Sequence, residues 1–121
     1  MFCSYRVGEG SVLFERAAQS RVEFEVQLQH LKAQQLQFSA LPVTERTALL
    51  SAFAQRLSDN RDTLAKMVCE EVGRCLRECE AEIDKSIELI RYYVKLAPEL
   101  LAHKTIATQA SLSQVRFEPL G

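Results

Sequence analysis

The sequence predicts a mainly α-helical α+β fold with an N-terminal hairpin, four helices and two C-terminal strands. Apolar residues recur at steps of three and four through residues 49–93, which is the spacing of amphipathic helices. Pro42, the polar segment 59–62 and Gly73 divide this region into separate helices. Both ends of the chain carry short runs in which apolar and polar residues alternate, a pattern that favours strands.

Size, composition and charge limit the classes of protein to which this chain can belong. The 121 residues suffice for one small domain with a single core. Apolar residues make up 47% and charged residues 26%, which is ordinary for a soluble globular protein. The net charge of −1 lacks the basic excess that nucleic-acid binding requires, and no apolar run reaches the length of a membrane span. Since no signal peptide is visible, we expect a cytoplasmic protein that binds neither nucleic acid nor a membrane.

The chain begins with a predicted β-hairpin. Residues 5–7 and 11–15 form two short runs that contain apolar side chains, and they flank the turn Gly8-Glu9-Gly10. Two such runs around a glycine-rich turn are typical of paired antiparallel strands.

The following segment fits two structures. Residues 22–29 alternate apolar and polar side chains without a slip, which is a strand pattern. Against a strand, Ser20 and Glu23 have the spacing of a helix capping box. No turn residue interrupts residues 20–37, and a strand of that length would be unusual. We therefore predict a helix.

The second helix is predicted to run from Pro42 to about Ser58. Proline suits a first turn because its missing N–H is not needed there. The predicted buried face of this helix consists of Leu50, Phe53 and Leu57.

The third helix follows the polar break, with Asn60 as its predicted N-cap. Gly73 suits the left-handed position that closes a helix. The predicted buried stripe consists of Leu64, Met67, Val68 and Val72.

The fourth helix is predicted to be the longest and to start near Leu76. Pro98 is expected to kink or restart it, because proline removes a hydrogen bond and clashes one turn back. A continuous apolar seam follows alternating steps of four and three through Ile83, Ile87, Ile90, Val94, Ala97 and Leu101. The other faces carry charged residues, among them Asp84, Lys85, Glu88, Arg91 and Lys95.

Beyond His103 apolar and polar residues alternate again. Residues 105–108 and 112–117 are predicted as two short strands, separated near residues 109–111. Exposed strands of this kind can recruit partners through their unpaired edges.

The first candidates for chemistry are the four cysteines Cys3, Cys69, Cys75 and Cys79. Neither a Cys-x-x-Cys pair nor a Cys/His pattern with zinc spacing is present, so we predict no metal site, although four thiols gathered in space are the alternative. We favour reduced thiols that pack as small hydrophobes over a catalytic cysteine. His30 and His103 are distant in sequence from these thiols, so the sequence does not indicate a histidine base next to a cysteine nucleophile.

Three glutamates are the second candidates. Glu71, Glu78 and Glu82 have the chemistry for acid–base catalysis or cation binding. A solvated helix surface is the favoured interpretation, and the charged run 78–88 is predicted to be a solvent-facing surface.

The long helix also carries Lys85, Arg91, Tyr92 and Tyr93. Because Tyr92 and Tyr93 are successive, at most one of them faces the core. We expect one to pack in the core and the other to make a hydrogen bond to another element.

Six segments resemble, in the same order, the N-terminal part of the aldehyde dehydrogenase superfamily. They are residues 41–50 (LPVTERTALL), 58–65 (SDNRDTLA) and 71–74 (EVGR), the pair Glu78 and Glu82, and residues 91–93 (RYY) and 115–121 (VRFEPLG). Each motif by itself is weak evidence for the resemblance. Six motifs in the same order, from about Val12 to Gly121, are specific evidence for it. The last segment most resembles succinate-semialdehyde dehydrogenases. Two features depart from the family pattern, namely Arg74-Cys75 in place of Lys-Pro and a shorter N-terminal hairpin.

The resemblance implies an enzyme that oxidises an aldehyde, with succinate semialdehyde favoured, using NAD or NADP. Such enzymes use a cysteine nucleophile, a glutamate base and an asparagine amide in the oxyanion hole. By the resemblance all of these residues, and the cofactor-binding strands, lie beyond Gly121. No catalytic, cofactor-binding or metal-binding residue is therefore assigned to this chain. In some relatives an acidic residue near the position of Glu71 joins residues beyond this chain in a monovalent-cation site, and the long helix lines the substrate entrance.

Residues 1–121 are therefore expected to be an N-terminal fragment: the helical part of a cofactor domain and the start of the oligomerisation strands. We expect the fragment to be inactive and to bind no cofactor by itself, because Gly8 and Gly10 do not follow a strand of a parallel sheet. A homo-oligomer is expected, since those strands belong to the arm through which family members associate. The alternative is a free-standing helical protein-interaction module.

Overall fold

A computed structural model describes residues 1–120 and confirms the mainly helical α+β fold class. Two antiparallel sheets of two strands each flank the helices. None of the helices in this range combines the length and the apolar character that crossing a membrane requires. The elements in chain order are β1 (Phe2–Tyr5), β2 (Val12–Arg16), α1 (Arg21–Ala40), α2 (Val43–Asp59), α3 (Arg61–Val72), α4 (Leu76–Leu100), β3 (Lys104–Thr105) and β4 (Gln114–Val115).

The N-terminal hairpin is confirmed, but its first strand lies earlier than predicted. β1 spans Phe2–Tyr5 and not residues 5–7. Two hydrogen bonds close the turn: the Arg6 N–H donates to the Ser11 carbonyl at 2.8 Å, and the Gly10 N–H donates to the Arg6 carbonyl at 2.9 Å. Because residues 6–11 are used in this turn, the extended segment must precede them.

Helix α1 resolves the ambiguity between strand and helix, and the helical prediction is confirmed. Its capping box is formed: the Ser20 N–H donates to the Glu23 carboxylate at 2.7 Å, and the Glu23 N–H donates to Ser20 Oγ at 3.3 Å. The hydrogen bond from the Ser20 backbone holds the pKa of the Glu23 carboxyl below its usual value. No residue of α1 is buried, and Val22, Phe24 and Leu31 are each more than half exposed. An alternating pattern wound into a helix spreads apolar side chains around its circumference.

The core lies where α2 and α3 pack against α4. Its buried apolar residues are Ala54, Ala65, Cys79 and Ile87, together with the hydroxyl-bearing Thr47. Four of these five side chains are small, so the helices approach closely and only Ile87 contributes a large apolar group.

The predicted buried face of α2 is wrong in part. Leu50 and Phe53 remain 44% and 51% exposed, and only Leu57 is half-buried. Thr47 and Ala54 are the buried residues of α2. Large apolar side chains mark an amphipathic face, but the closest contact between helices is made by the small ones, and the larger side chains flank it.

The predicted stripe of α3 is corrected in the same way. Met67 and Val72 are more than half exposed, whereas Leu64 and Val68 are half-buried. Ala65, which the prediction did not include, is completely buried.

The helix ends differ in detail from expectation. Pro42 is the N-cap of α2 and not a first-turn residue. Asn60 precedes α3 without a capping hydrogen bond, and its amide Nδ2 donates to the Arg56 carbonyl at 2.8 Å. Gly73 closes α3 with φ +76°, as predicted. A Cβ at Gly73 would also lie 2.6 Å from Val7 Cγ1, so glycine is required both for its conformation and for space.

The apolar seam of α4 is confirmed as its least exposed face. Ile87 is 4% exposed, and the other members are half-buried. The helix continues through Pro98 to Leu100, so it does not restart there. Pro98 has no N–H to donate to the Val94 carbonyl, and the helix ends two residues beyond it.

The C-terminal strands exist but are shorter than predicted. β3 and β4 have two residues each and pair antiparallel, with Lys104 opposite Val115 and Thr105 opposite Gln114. One further hydrogen bond, from the Ile106 N–H to the Ser113 carbonyl at 2.8 Å, extends the pairing.

Replacing Ile87 with Asp tests the position of the core. A charge at this buried site should lower the free energy of unfolding by about 3 kcal/mol or more, since it would have no partner. Urea denaturation followed by circular dichroism measures the change. Leu89→Asp on the same helix, where the side chain is 55% exposed, is the matched control and should cost much less. Equal effects of the two substitutions would contradict this assignment of the buried face.

Candidate functional site

The three candidate glutamates and three of the four cysteines lie at the α3–α4 junction, residues 69–82, on which the N-terminal hairpin docks; Cys3 lies in β1 of that hairpin. The Val7 N–H donates to the Glu70 carbonyl at 2.9 Å. The Ser4 hydroxyl, which is buried, donates to the Glu71 carboxylate at 2.5 Å. An ion pair of 3.3 Å between Arg6 and Glu70 adds a third link. The hairpin therefore holds the C-terminal end of α3 in place.

The three candidate glutamates have separate roles. Glu71 accepts the hydrogen bond from Ser4, and Glu82 pairs with Arg74 at 3.0 Å. Glu78 is exposed in the first turn of α4, where a carboxylate stabilises the helix dipole. Across residues 1–120, no group of three or more His, Cys, Asp or Glu side chains is arranged to hold a metal ion. The interpretation of these glutamates as helix surface fits Glu78 and Glu82, whereas Glu71 ties two elements together.

The thiols of the junction differ strongly in environment. Cys79 has no solvent exposure, and burial raises the pKa of its thiol above the ordinary value, so it stays protonated at neutral pH. The Cys69 thiol donates to the Arg74 carbonyl, with an Sγ–O distance of 3.0 Å. Cys75 is exposed at the N-cap of α4. The four cysteines are free thiols. Cys79 therefore packs as a small hydrophobe, as predicted.

The charged face of α4 was predicted to face solvent, and on it the Asp84 side chain is 47% exposed but also has an ion-pair partner. The Arg61 guanidinium donates to both carboxylate oxygens of Asp84, from Nε at 2.7 Å and from Nη2 at 2.8 Å. These hydrogen bonds hold the pKa of the Asp84 carboxyl below its usual value. Glu80 lies 3.7 Å from the same guanidinium. The pair joins the first turn of α3 to the middle of α4.

The expectation for the tyrosines is also wrong. Tyr92 and Tyr93 are both more than half exposed, and their rings contact each other edge to face with centroids 5.3 Å apart. Within residues 1–120 neither hydroxyl makes a side-chain hydrogen bond. Lys85 and Arg91 are exposed on the same helix.

Neither Gly8 nor Gly10 lies in a phosphate-binding turn. Gly8 and Gly10 have positive φ values but belong to the turn of an antiparallel hairpin. A phosphate-binding glycine turn instead joins a parallel strand to a helix. Both sheets within residues 1–120 are antiparallel pairs.

One site was missed by the sequence interpretation. A cavity of about 380 Å³ lies between the α1–α2 connection, the C-terminal end of α4 and the segment that follows β4. We call it the basic cavity, because its lining includes Arg46, His103 and Arg116. These residues are distant in sequence, so no local motif could reveal that they meet.

Comparison with known proteins identifies a single family. A sequence model of the aldehyde dehydrogenase family matches residues 4–121. Among curated relatives, the chain is 34% identical over 80 residues to succinate-semialdehyde dehydrogenase [NADP(+)] of Deinococcus radiodurans, covering 66% of this chain and 17% of that protein. It is 32% identical over 104 residues to the probable succinate-semialdehyde dehydrogenase [NADP(+)] of Synechocystis sp., covering 86% and 23%.

A solved structure has the same fold. It is the betaine aldehyde dehydrogenase of Staphylococcus aureus in complex with NAD+, with a TM-score of 0.87 at 18% identity. The match covers 98% of this chain and 25% of that one. The chain therefore spans about a quarter or less of the length of the proteins that it matches.

Thiol reactivity tests the environments at the junction. In the native protein a maleimide should label the exposed Cys75 first, and Cys79 should react on the order of 100-fold more slowly because it needs local opening. Mass spectrometry of peptides over a time course measures the labelling of each residue. Cys75→Ser should remove the fast phase, and labelling in denaturant gives the reference in which all thiols react. Equally rapid native labelling of Cys79 would contradict its burial.

Proposed function

The chain belongs to the aldehyde dehydrogenase family, and we propose that it is the N-terminal part of an NAD(P)-dependent enzyme that oxidises succinate semialdehyde to the acid. In this proposal residues 1–121 supply the helical part of the cofactor domain and the start of the oligomerisation strands. The nucleophile, the base and the cofactor site lie on residues outside this chain. The chain is inactive by itself, and the whole enzyme assembles as a homo-oligomer.

The surface of the chain is the main observation that supports a fragment. Its accessible area is 10009 Å². A compact monomer of 13.7 kDa exposes about 6600 Å². The excess, roughly 3400 Å², is far larger than the area of about 800 Å² that one partner buries in a typical interface. A large covering body, such as the rest of a longer protein, accounts for this difference better than a single subunit contact.

The choice of substrate and cofactor follows the relatives. The two curated proteins described above are named succinate-semialdehyde dehydrogenases and use NADP(+) according to their names. The structural match at 18% identity supports the fold and not the substrate. In the whole enzyme the nicotinamide cofactor would accept the hydride that the aldehyde loses. What the described residues contribute is a scaffold, since Cys79 is buried and protonated and Gly8 and Gly10 lie in a hairpin turn.

One observation also fits the alternative of a free-standing interaction module. Helix α1 buries none of its residues, although it carries Val22, Phe24, Val26, Leu28, Leu31, Leu36 and Phe38. An exposed apolar surface of this size marks an interface in a soluble protein. The coding sequence beyond codon 121 distinguishes the two proposals: continuation into a cofactor and catalytic domain supports the enzyme, and a native stop codon supports the module.

The first test concerns the cofactor. The purified 121-residue chain should show no saturable binding of NAD+ or NADP+ by isothermal titration calorimetry and no oxidation of succinate semialdehyde. The product of the extended coding sequence should bind NADP+ and form NADPH with this substrate. The Deinococcus radiodurans relative serves as the positive control. Saturable binding to the short chain, or an inactive extended product, would overturn the proposal.

The second test concerns association. Because so much apolar surface is exposed, the isolated chain should self-associate, most simply as a dimer. Light scattering over a dilution series should give an apparent mass that rises with concentration. Leu31→Glu, at a side chain that is 63% exposed, should weaken association by placing a charge on α1. Gln29→Glu on the same helix introduces the same charge at an exposed polar position and should have little effect. A compact monomer at every concentration would contradict the prediction.

A further inference from the structure

We propose that the basic cavity binds a phosphate group, either as inorganic phosphate or as the ester of a small organic molecule. The cavity, of about 380 Å³, is formed by three parts of the chain that are distant in sequence. Nothing in the reaction proposed for the whole enzyme requires this site, and none of the residues outside the chain is needed to form it.

Charge is the first reason for this assignment. Arg46, His103 and Arg116 line the cavity, and Glu118 is the only carboxylate among its lining residues. Glu118 pairs with Arg116 at 3.4 Å, so it neutralises part of the charge on that side. No ion pair involves Arg46 within the part of the chain that the structure describes. The cavity therefore has a net positive charge from its two arginines and one glutamate.

The state of Arg46 is the second and independent reason. Its guanidinium makes no hydrogen bond or ion pair within residues 1–120. The Nε–H is inaccessible to solvent, so the two Nη groups are the donors that a ligand in the cavity can reach. Arg46 lies one turn into α2 and is only partly exposed. A guanidinium presents several donors in a plane, which suits the oxygens of a phosphate group.

The start of α2 adds a favourable electric field. This helix has 17 residues, and no side chain caps its N-terminus because the N-cap position is Pro42. Pro42 and Val43 belong to the cavity wall. The positive end of the helix dipole and unused backbone N–H groups stabilise an anion at such a place.

The remaining wall explains why an ester would fit as well as the free ion. Leu41, Pro42, Leu101 and Phe117 give the cavity an apolar side beside its cationic groups. Binding sites for small molecules combine these two features, since polar groups fix the orientation and apolar walls exclude water. Inorganic phosphate would use only the cationic side, whereas an aromatic ester would also contact the apolar side.

Titration by nuclear magnetic resonance tests the assignment, and a chain of 13.7 kDa is well suited to it. Amide spectra of the 121-residue chain are recorded with increasing inorganic phosphate and, separately, phenyl phosphate at constant ionic strength. We expect saturable shifts that centre on Val43, Arg46 and Phe117. Tighter binding of phenyl phosphate identifies an ester as the preferred ligand, and equal binding identifies the free ion. Shifts that are absent, or that scatter over the surface without saturating, overturn the proposal.

Three variants distinguish phosphate binding in the cavity from non-specific attraction to positive charges on the surface. Arg46→Gln and Arg116→Gln should each weaken binding about tenfold or more, since each removes a charge-assisted hydrogen bond. Arg116 has a side chain that is 59% exposed, so its replacement should not disturb folding even if that of Arg46 does. Arg77→Gln removes the same charge at an exposed position outside the cavity and should change affinity less than about twofold. Equal losses in the Arg116 and Arg77 variants would overturn the proposal, and so would loss of phosphate binding in the product of an extended coding sequence.

Discussion

The close packing of α4 on α2 and α3 is the interaction on which the rest of the structure depends. Ala54 and Ala65 present almost no side chain at the contact, so the two shorter helices approach α4 near Ile87. The Arg61–Asp84 ion pair fixes how α3 lies along α4, because two parallel hydrogen bonds allow only one register. At the other end of α3, the space beside Gly73 receives Val7 and brings in the hairpin. The N-terminal hairpin is therefore attached to this three-helix unit by a few specific contacts.

This arrangement explains why the chain has so large a surface. A unit whose buried residues are mostly small gains little apolar burial, since the favourable free energy scales with the area removed from water. Helix α1 has a complete capping box, which makes its start locally favourable, yet it buries no residue. Capping contributes about 1 kcal/mol and does not replace the burial of an apolar face. The side chains of α1 are those of a helix that is covered on more than one side, which agrees with the proposal of a longer parent protein.

Sequence periodicity predicted the order and type of the elements well, because capping residues, glycines and apolar spacing act locally. The Ser20–Glu23 pair identified α1 against a perfect strand alternation, and Gly73 identified the end of α3. Burial was predicted less well, since it depends on which face a neighbour covers. Leu50 and Met67 are large and apolar, as core residues usually are, but they lie beside the helix–helix contacts. Ala54 and Ala65 form those contacts, although they carry no periodic signal in the sequence. The pairing of Arg61 with Asp84, and the meeting of Arg46 with Arg116, could not be predicted because they join residues far apart in the sequence.

Two segments that carry the family resemblance meet at the basic cavity. Residues 41–50 provide the start of α2 and Arg46, and residues 115–121 include Arg116 and Phe117 on the opposite wall. Among the residues of these two segments only Thr47 belongs to the buried core, so the need for a folded three-helix unit does not by itself explain the charges of Arg46 and Arg116. At the α3–α4 junction the buried Cys79 thiol stays protonated, and Glu71 and Glu82 already have side-chain partners. The cavity, by contrast, combines the unpaired guanidinium of Arg46 with the positive end of a helix, and an anion would stabilise both groups.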